Sequence, residues 1–333
     1  METVNTGDVL VLGQNGSGLP AGSVAHRLMT SGLNINSLRT NDVLRKEEWL
    51  LFDKAIVDVA RPILVGVSDL MSRNLRVPIP NAMGITVVQH ETVSDMSNAD
   101  VNMSGIAEGE RDRLKFAQVN TPLPIVHKDF QLSLRNLESG RRLGQPLDTT
   151  SAQTAARKVA DQLENILFNG VAITSGGGTV YGYRTHPSRN TGSTTADWST
   201  ATGEQIVADV LAMIDKAVAD NMYGPYIVYV SNSSYVNMLE DFKAASDKST
   251  IQRVLEIPQV AAVRPTSQLP ATGAEVLLVQ MSSDVVEMLD GIQPTTVMWE
   301  SHGGMMVHFK VLAIMIPRLK ADADGRSGIV HYT

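Results

Sequence analysis

Residues 149–170, TTSAQTAARKVADQLENILFNG, constrain the fold more than any other stretch of the chain. Ala152, Ala155, Ala156, Val159, Ala160, Leu163, Ile166 and Leu167 recur at three- and four-residue spacing, which is one buried face of a helix. Arg157, Lys158, Asp161, Gln162 and Glu164 occupy most of the opposite face. Thr150 with Gln153 reads as a capping box, and Gly170 after Phe168-Asn169 as a left-handed stop. The apolar face is small in its first half and large in its second. Its alanines therefore allow close approach to whatever lies beneath, and its leucines fill volume. In isolation the pattern describes an ordinary amphipathic surface helix.

Composition removes several function classes. The chain has 333 residues, 43% of them hydrophobic but only 5% aromatic, so the core is aliphatic, with 15 Met residues filling gaps. A net charge of −7 argues against gripping nucleic acid through a general basic field. With no cysteine there is no disulfide, thiolate nucleophile, iron–sulfur cluster or Cys-ligated zinc. No apolar run reaches membrane-spanning length, and the early VLVLG lacks the basic leader of a signal peptide. His26, His90, His127, His186, His302, His308 and His331 fall in no metal-ligand spacing, and no nucleophile elbow occurs. The reading is of a non-enzyme with no catalytic residues, metal or cofactor.

Taken in order, residues 1–40 are rich in Gly, Asn and Ser and read as an extended arm, with a short helix near 24–30. Three scattered glycines after VLVL lack the spacing and context of a dinucleotide loop. Residues 41–74 read as N-terminal helices, interrupted near Ala60 by Pro62. Residues 75–126 switch towards a period of two: strand candidates at 85–93 and 113–119 flank a polar tip, with KDFQLSL alternating after them. Two long strands with little apolar content do not stand alone, so this hairpin must lean on something outside its own domain. Glu108, Glu110, Arg111, Asp112, Arg113 and Lys115 make its tip a solvated face in a monomer and a set of intersubunit ion pairs in an assembly. Residues 127–200 hold the helix at 150–169, followed by a Gly/Ser/Thr-rich loop. Residues 201–296 read as a compact α/β unit, and 297–333 as strands returning to the core and a C-terminal tail.

The order of arm, coreless hairpin, long helix and α/β lobe resembles the tailed-phage major capsid proteins of the Hong Kong 97 type and the related encapsulin shell proteins. The likeness runs from about residue 48 to 318. Residues 123–170 look like the encapsulin strand, linker and spine helix, ending in Glu164, Ile166, Leu167, Phe168 and Gly170. YGPYIVYVSNSSYVNMLED is similar to the axial-domain strand and helix, and Trp49 to Asp53 has the family's W-x-x-x-D spacing.

The resemblance implies an α+β Hong Kong 97-like fold. It has an N-terminal arm, an extended β-hairpin (the E-loop), a peripheral domain on the spine helix and an axial α/β domain. Its functional counterpart is the major head protein of a tailed bacteriophage or prophage. Such a protein self-assembles through pentamers and hexamers into an icosahedral shell around double-stranded DNA, which it encloses without sequence-specific binding. Virion localisation and assembly in the host cytoplasm follow. So do separate scaffolding, portal and decoration proteins, and no membrane. Encapsulin shells, which enclose cargo enzymes, are the alternative. Some relatives crosslink a hairpin Lys to a peripheral Asn; Lys115 finds no such partner and no crosslink is expected. Ala152, Ala155, Ala156, Val159, Leu163, Ile166 and Leu167 become the spine-helix packing residues.

Overall fold

The protein was analysed as a computed structural model that describes residues 10–12, 18–20, 54–56, 58–60, 63–93, 96, 101, 103, 113–114, 116–142, 149–243, 247–271, 275–322 and 324–333. The helix expected at 24–30, residues 49–53 and most of the hairpin tip lie outside them. In the arm, β1 (Leu10–Leu12) and β2 (Gly18–Pro20) pair antiparallel.

The chain folds as α+β around one long antiparallel pair. Strand β13 (Val286–Ser301) and strand β14 (Met306–Leu319) run side by side from Val286↔Leu319 to Ser301↔Met306. They are joined through His302–Gly304, where Gly303 and Gly304 take positive φ. Short β3 (Arg76–Pro78) adds parallel to β13, and β6 (Val126–Ser133) adds antiparallel to β14. The order is β3-β13-β14-β6. β13 starts well upstream of residue 297, where the sequence pattern placed the returning strands. Its first residues carry no alternation because they are buried on both faces.

Helix α3 (Thr150–Asn169) lies on this sheet against β14 and β6. Ala152 shares a small core with Met298, Val307 and Phe309. Ala155, Ala156, Val159, Leu163, Ile166 and Leu167 enter the main core with Val311, Ala313 and Ile314. The helix spans the expected residues 150–169, but its N-cap falls one residue before the expected one. Thr149 takes the N-cap, its side chain makes no cap hydrogen bond, and the Thr150–Gln153 box is not formed. True capping boxes occur instead at Thr202 with Gln205 and Ser249 with Gln252. Gly170 ends α3 at φ 73°, and a Cβ there would sit 2.6 Å from the Val180 carbonyl oxygen.

A second sheet has the order β11-β10-β12-β15-β9: β11 (Val260–Thr266), β10 (Tyr226–Ser231), β12 (Val276–Gln280), β15 (Ile329–Tyr332) and β9 (Asn190–Gly192). Two of its strands come from outside residues 201–296. The segment read as a C-terminal tail is β15, fully buried between β12 and β9. Helix α4 (Gly203–Ala219) covers one face, where Ile206, Val210 and Met213 meet Val228, Val230, Leu278 and Val330. Ile227, Tyr229, Leu277, Val279 and Ile329 point the other way, into the same core as α3 and the β13–β14 pair. The two sheets therefore share one interior, and both faces of the axial strands are apolar for that reason. Further helices are α1 (Val65–Ser72), α2 (Leu134–Arg142), α5 (Asn232–Met238) and α6 (Thr250–Leu255), and residues 54–56 and 58–60 are helical as well.

Ala156 is completely buried against this sheet core. Ala156→Leu is expected to cost about 1–3 kcal/mol by overpacking. Chemical denaturation of the variant checks it, with a conservative Ala156→Ser control.

Candidate functional site

Two places stand out: an extended hairpin and a buried polar joint. The hairpin is β4 (Val87–Val93) with β5 (Phe116–Pro122), in register from Val87↔Pro122 to Val93↔Phe116. Its strands are β-branched and polar, and little of either is covered. Val93 and Phe116 face each other at the outer end, 40% and 64% exposed, and Val119 is exposed as well. Gln118 Nε2 donates to Gln89 Oε1 at 2.9 Å along the same ladder.

The inner end of the hairpin rests on a second, smaller one. Residues expected to be an ordinary glycine loop form β7 (Val171–Ser175) and β8 (Gly178–Val180), turned by Gly176 and Gly177 at positive φ. Asn120 Nδ2 donates to the Gly176 carbonyl at 2.6 Å. At Gly178 the two backbones nearly touch, since a Cβ would fall 1.9 Å from Asn120 O. A cleft of about 510 Å³ opens beside this contact, lined by His90, Asn120, His186 and Arg318 among others. Burial lowers the His186 imidazole to about 4 and also lowers His90, so both are neutral at pH 7. Among the described residues no three His, Asp or Glu side chains cluster as metal ligands.

The joint lies where α3, α1 and the axial sheet meet. Glu164 was assigned to the exposed face of α3 by spacing, yet it is 2% exposed. Its carboxyl accepts from the amides of Gly66 at 2.7 Å and Val67 at 3.3 Å, the free donors at the start of α1. Leu64, the N-cap of α1, supplies no side-chain cap of its own, so α3 provides it from 98 residues away. Burial pushes the Glu164 carboxyl up to about 7, against the opposing pull of the amides. Asp69, further along α1, accepts from the Tyr229 hydroxyl at 3.3 Å and pairs with Arg264 at 3.3 Å. Phe168, Tyr183 and Tyr229 close the joint as an aromatic cluster, with centroids 5.2–6.0 Å apart.

Of the hairpin-tip residues expected to pair between subunits, Glu108, Glu110, Arg111, Asp112 and Lys115 lie outside the described residues, and Arg113 is exposed. Ala152, Ala155, Ala156, Val159, Leu163, Ile166 and Leu167 are all buried. Spacing alone had no means of finding the Glu164 contact, because its partner is on another helix.

Residues 36–332 match a protein family described as "Family of unknown function (DUF6260)". The chain belongs to that family. Among proteins of known role, this DUF6260 chain is 28% identical over 236 residues to the type 1 encapsulin shell protein EncA of Myxococcus xanthus, covering 69% of this chain and 71% of that one. Among solved structures it superposes on the virus-like particle from Pyrococcus furiosus with a TM-score of 0.63 at 15% identity, covering 86% of this chain and 99% of that one. On the capsid of Myoviridae phage XM1 the TM-score is 0.55 at 11% identity, covering 75% and 86%. The DUF6260 chain thus has the Hong Kong 97-type capsid fold shared by phage heads and encapsulins.

Two variants test the hairpin. Gly178→Ala sets a side chain against a backbone oxygen that cannot move aside, and should loosen the β4–β5 hairpin, read as faster amide exchange in β5. Val93→Ser with Phe116→Ser should leave protomer stability within about 0.5 kcal/mol by denaturation, because both sites are exposed.

Proposed function

We propose that this chain is the building block of a closed protein shell, many copies assembling through pentamers and hexamers into an icosahedral container. The observation that carries the reading is the β4–β5 hairpin, whose Val93–Phe116 pair is 40% and 64% exposed. Apolar surface of this kind is stabilised when a neighbouring copy covers it. One such contact is weak, but repetition around a closed surface makes the assembly strong through effective concentration. The role is structural, as it is in the shell proteins to which the chain is similar. The tip charges Glu108, Glu110, Arg111, Asp112, Arg113 and Lys115 are proposed as intersubunit ion pairs, and the buried face of α3 as the rigid support behind them.

Within that reading, the chain is the major head protein of a tailed phage or prophage, enclosing double-stranded DNA. It is assembled in the host cytoplasm with separate scaffolding, portal and decoration proteins. A net charge of −7 supports this, since a wall without a strong basic field does not hold the genome by counterion release. The similarity to Myxococcus xanthus EncA favours a second reading, an encapsulin-type compartment around cargo enzymes.

Electron microscopy of the purified chain, alone and with candidate scaffolds, is expected to show closed hollow particles. Only small soluble oligomers under all conditions would sink the shell reading. The Val93→Ser/Phe116→Ser protein is expected to remain folded and form no particles. Particles from the native source then separate the two contents: nuclease-protected DNA supports the head protein, and a co-purifying enzyme without DNA supports the encapsulin.

A further inference from the structure

We propose that Glu164 makes the joint between the spine helix and α1 proton-sensitive: closed while the carboxyl carries a proton, and loosened when it ionises. The inference concerns the folded protomer and does not depend on what the shell contains.

The geometry is that of a carboxyl group shut in among three elements. Its two oxygens are unequal: one takes a short bond from the Gly66 amide at 2.7 Å, the other a long one from Val67 at 3.3 Å. A neutral acid has the same asymmetry, with a carbonyl oxygen that accepts well and a hydroxyl that accepts poorly. There is no room for the group to move away. A Cβ on Gly66 would lie 2.8 Å from Leu167 Cδ2, 3.2 Å from Glu164 Oε1 and 3.2 Å from Phe168 Cε2, so helix and carboxyl are already in contact.

The groups that face Glu164 do not neutralise a charge there. From α1 comes Asp69, itself acidic and buried. From β10 comes the Tyr229 hydroxyl, engaged with Asp69, and from the segment after β8 comes Tyr183, whose fully buried hydroxyl has no hydrogen-bond partner. Arg264 of β11 pairs with Asp69 from a half-exposed position and does not reach Glu164. On α3 itself, Lys158 is exposed, and Asp161, one turn before Glu164 and part-buried, adds no positive charge. An ionised Glu164 therefore places a second negative charge beside Asp69, relieved by the amides of Gly66, Val67 and, least, Val65, or by water entering the joint.

The direction of the pH effect follows. The carboxyl titrates near 4.5 when exposed and near 7 when buried. The folded state binds the proton more tightly, so the stabilisation from this group is complete below about 4.5 and is lost as pH rises through about 7. The elements that loosen first are the start of α1 and, through Asp69, its contact with Tyr229 of the axial sheet.

The test uses the full-length protein in two measurements. Hydrogen exchange of α1, corrected for intrinsic rates, is compared between wild type and Glu164→Gln at about pH 6 and pH 8.5. Wild type is expected to gain roughly tenfold in exchange relative to Glu164→Gln at the higher pH, the stabilisation held at about one pH unit below the midpoint and gone above it. Identical pH profiles for the two proteins would overturn the proposal. As a readout that needs no variant, infrared titration of wild type alone follows the protonated-carboxyl stretch. A band that disappears with a midpoint near pH 7 supports the inference, and no such band at pH 6 overturns it.

Discussion

The structure depends on how closely α3 can lie on the β13–β14 pair. A helix carrying only methyl groups along its buried first half sits nearer a sheet than one carrying leucines. Ala152, Ala155, Ala156 and Ala160 provide that half, all buried. The close approach brings the far end of α3 into the gap between the two sheets. There Leu163, Ile166, Leu167 and Phe168 fill the interior shared with Ile227, Tyr229, Leu277 and Val279. One helix thus has two packing regimes, and the change between them is where the peripheral sheet meets the axial sheet.

Fixing that helix fixes the joint. Phe168 stands edge-on to both Tyr183 and Tyr229, and Glu164, one turn earlier, closes the start of α1. Buried acids recur in this protein as tertiary links. In α4, Asp209 accepts from Trp198 Nε1 at 2.9 Å and from the Thr195 amide at 3.1 Å, pinning the segment between β9 and α4. At the edge of the long pair, Glu287 takes hydrogen bonds from Arg318 and Lys320. Burial alone would raise its carboxyl, but those two cations outweigh burial and hold it below the ordinary range. The contrast with Glu164 is instructive: one buried acid has cations and stays ionised, the other has amides and a neighbouring Asp.

The hairpin shows the opposite design. It is anchored at its base by the Asn120–Gly176 hydrogen bond, the close backbone contact at Gly178 and Val88 packed on the main core, and Val93 and Phe116 at its outer end are exposed. A rigid body with a long, coreless extension suits a subunit whose remaining contacts are with its neighbours. The −7 net charge and absence of cysteine are consistent with such a part.

Periodicity made much of this legible. The run of alanines and leucines specified α3, its buried face and its stop at Gly170, since a helical stripe is a local property of spacing. The β-branched run at 85–93 marked a strand whose lack of apolar partners implied an outside support. The order of these pieces was enough to point to the Hong Kong 97-type fold. What the sequence left open depends on partners distant in the chain. Glu164 looks like a surface acid until Gly66 and Val67 arrive from about 100 residues away. Residues 329–332 look like a tail until β12 and β9 pair with them on either side. Local spacing determines which surfaces are apolar. Only the tertiary structure decides which polar groups those surfaces enclose, because burying a charge is a property of what closes over it.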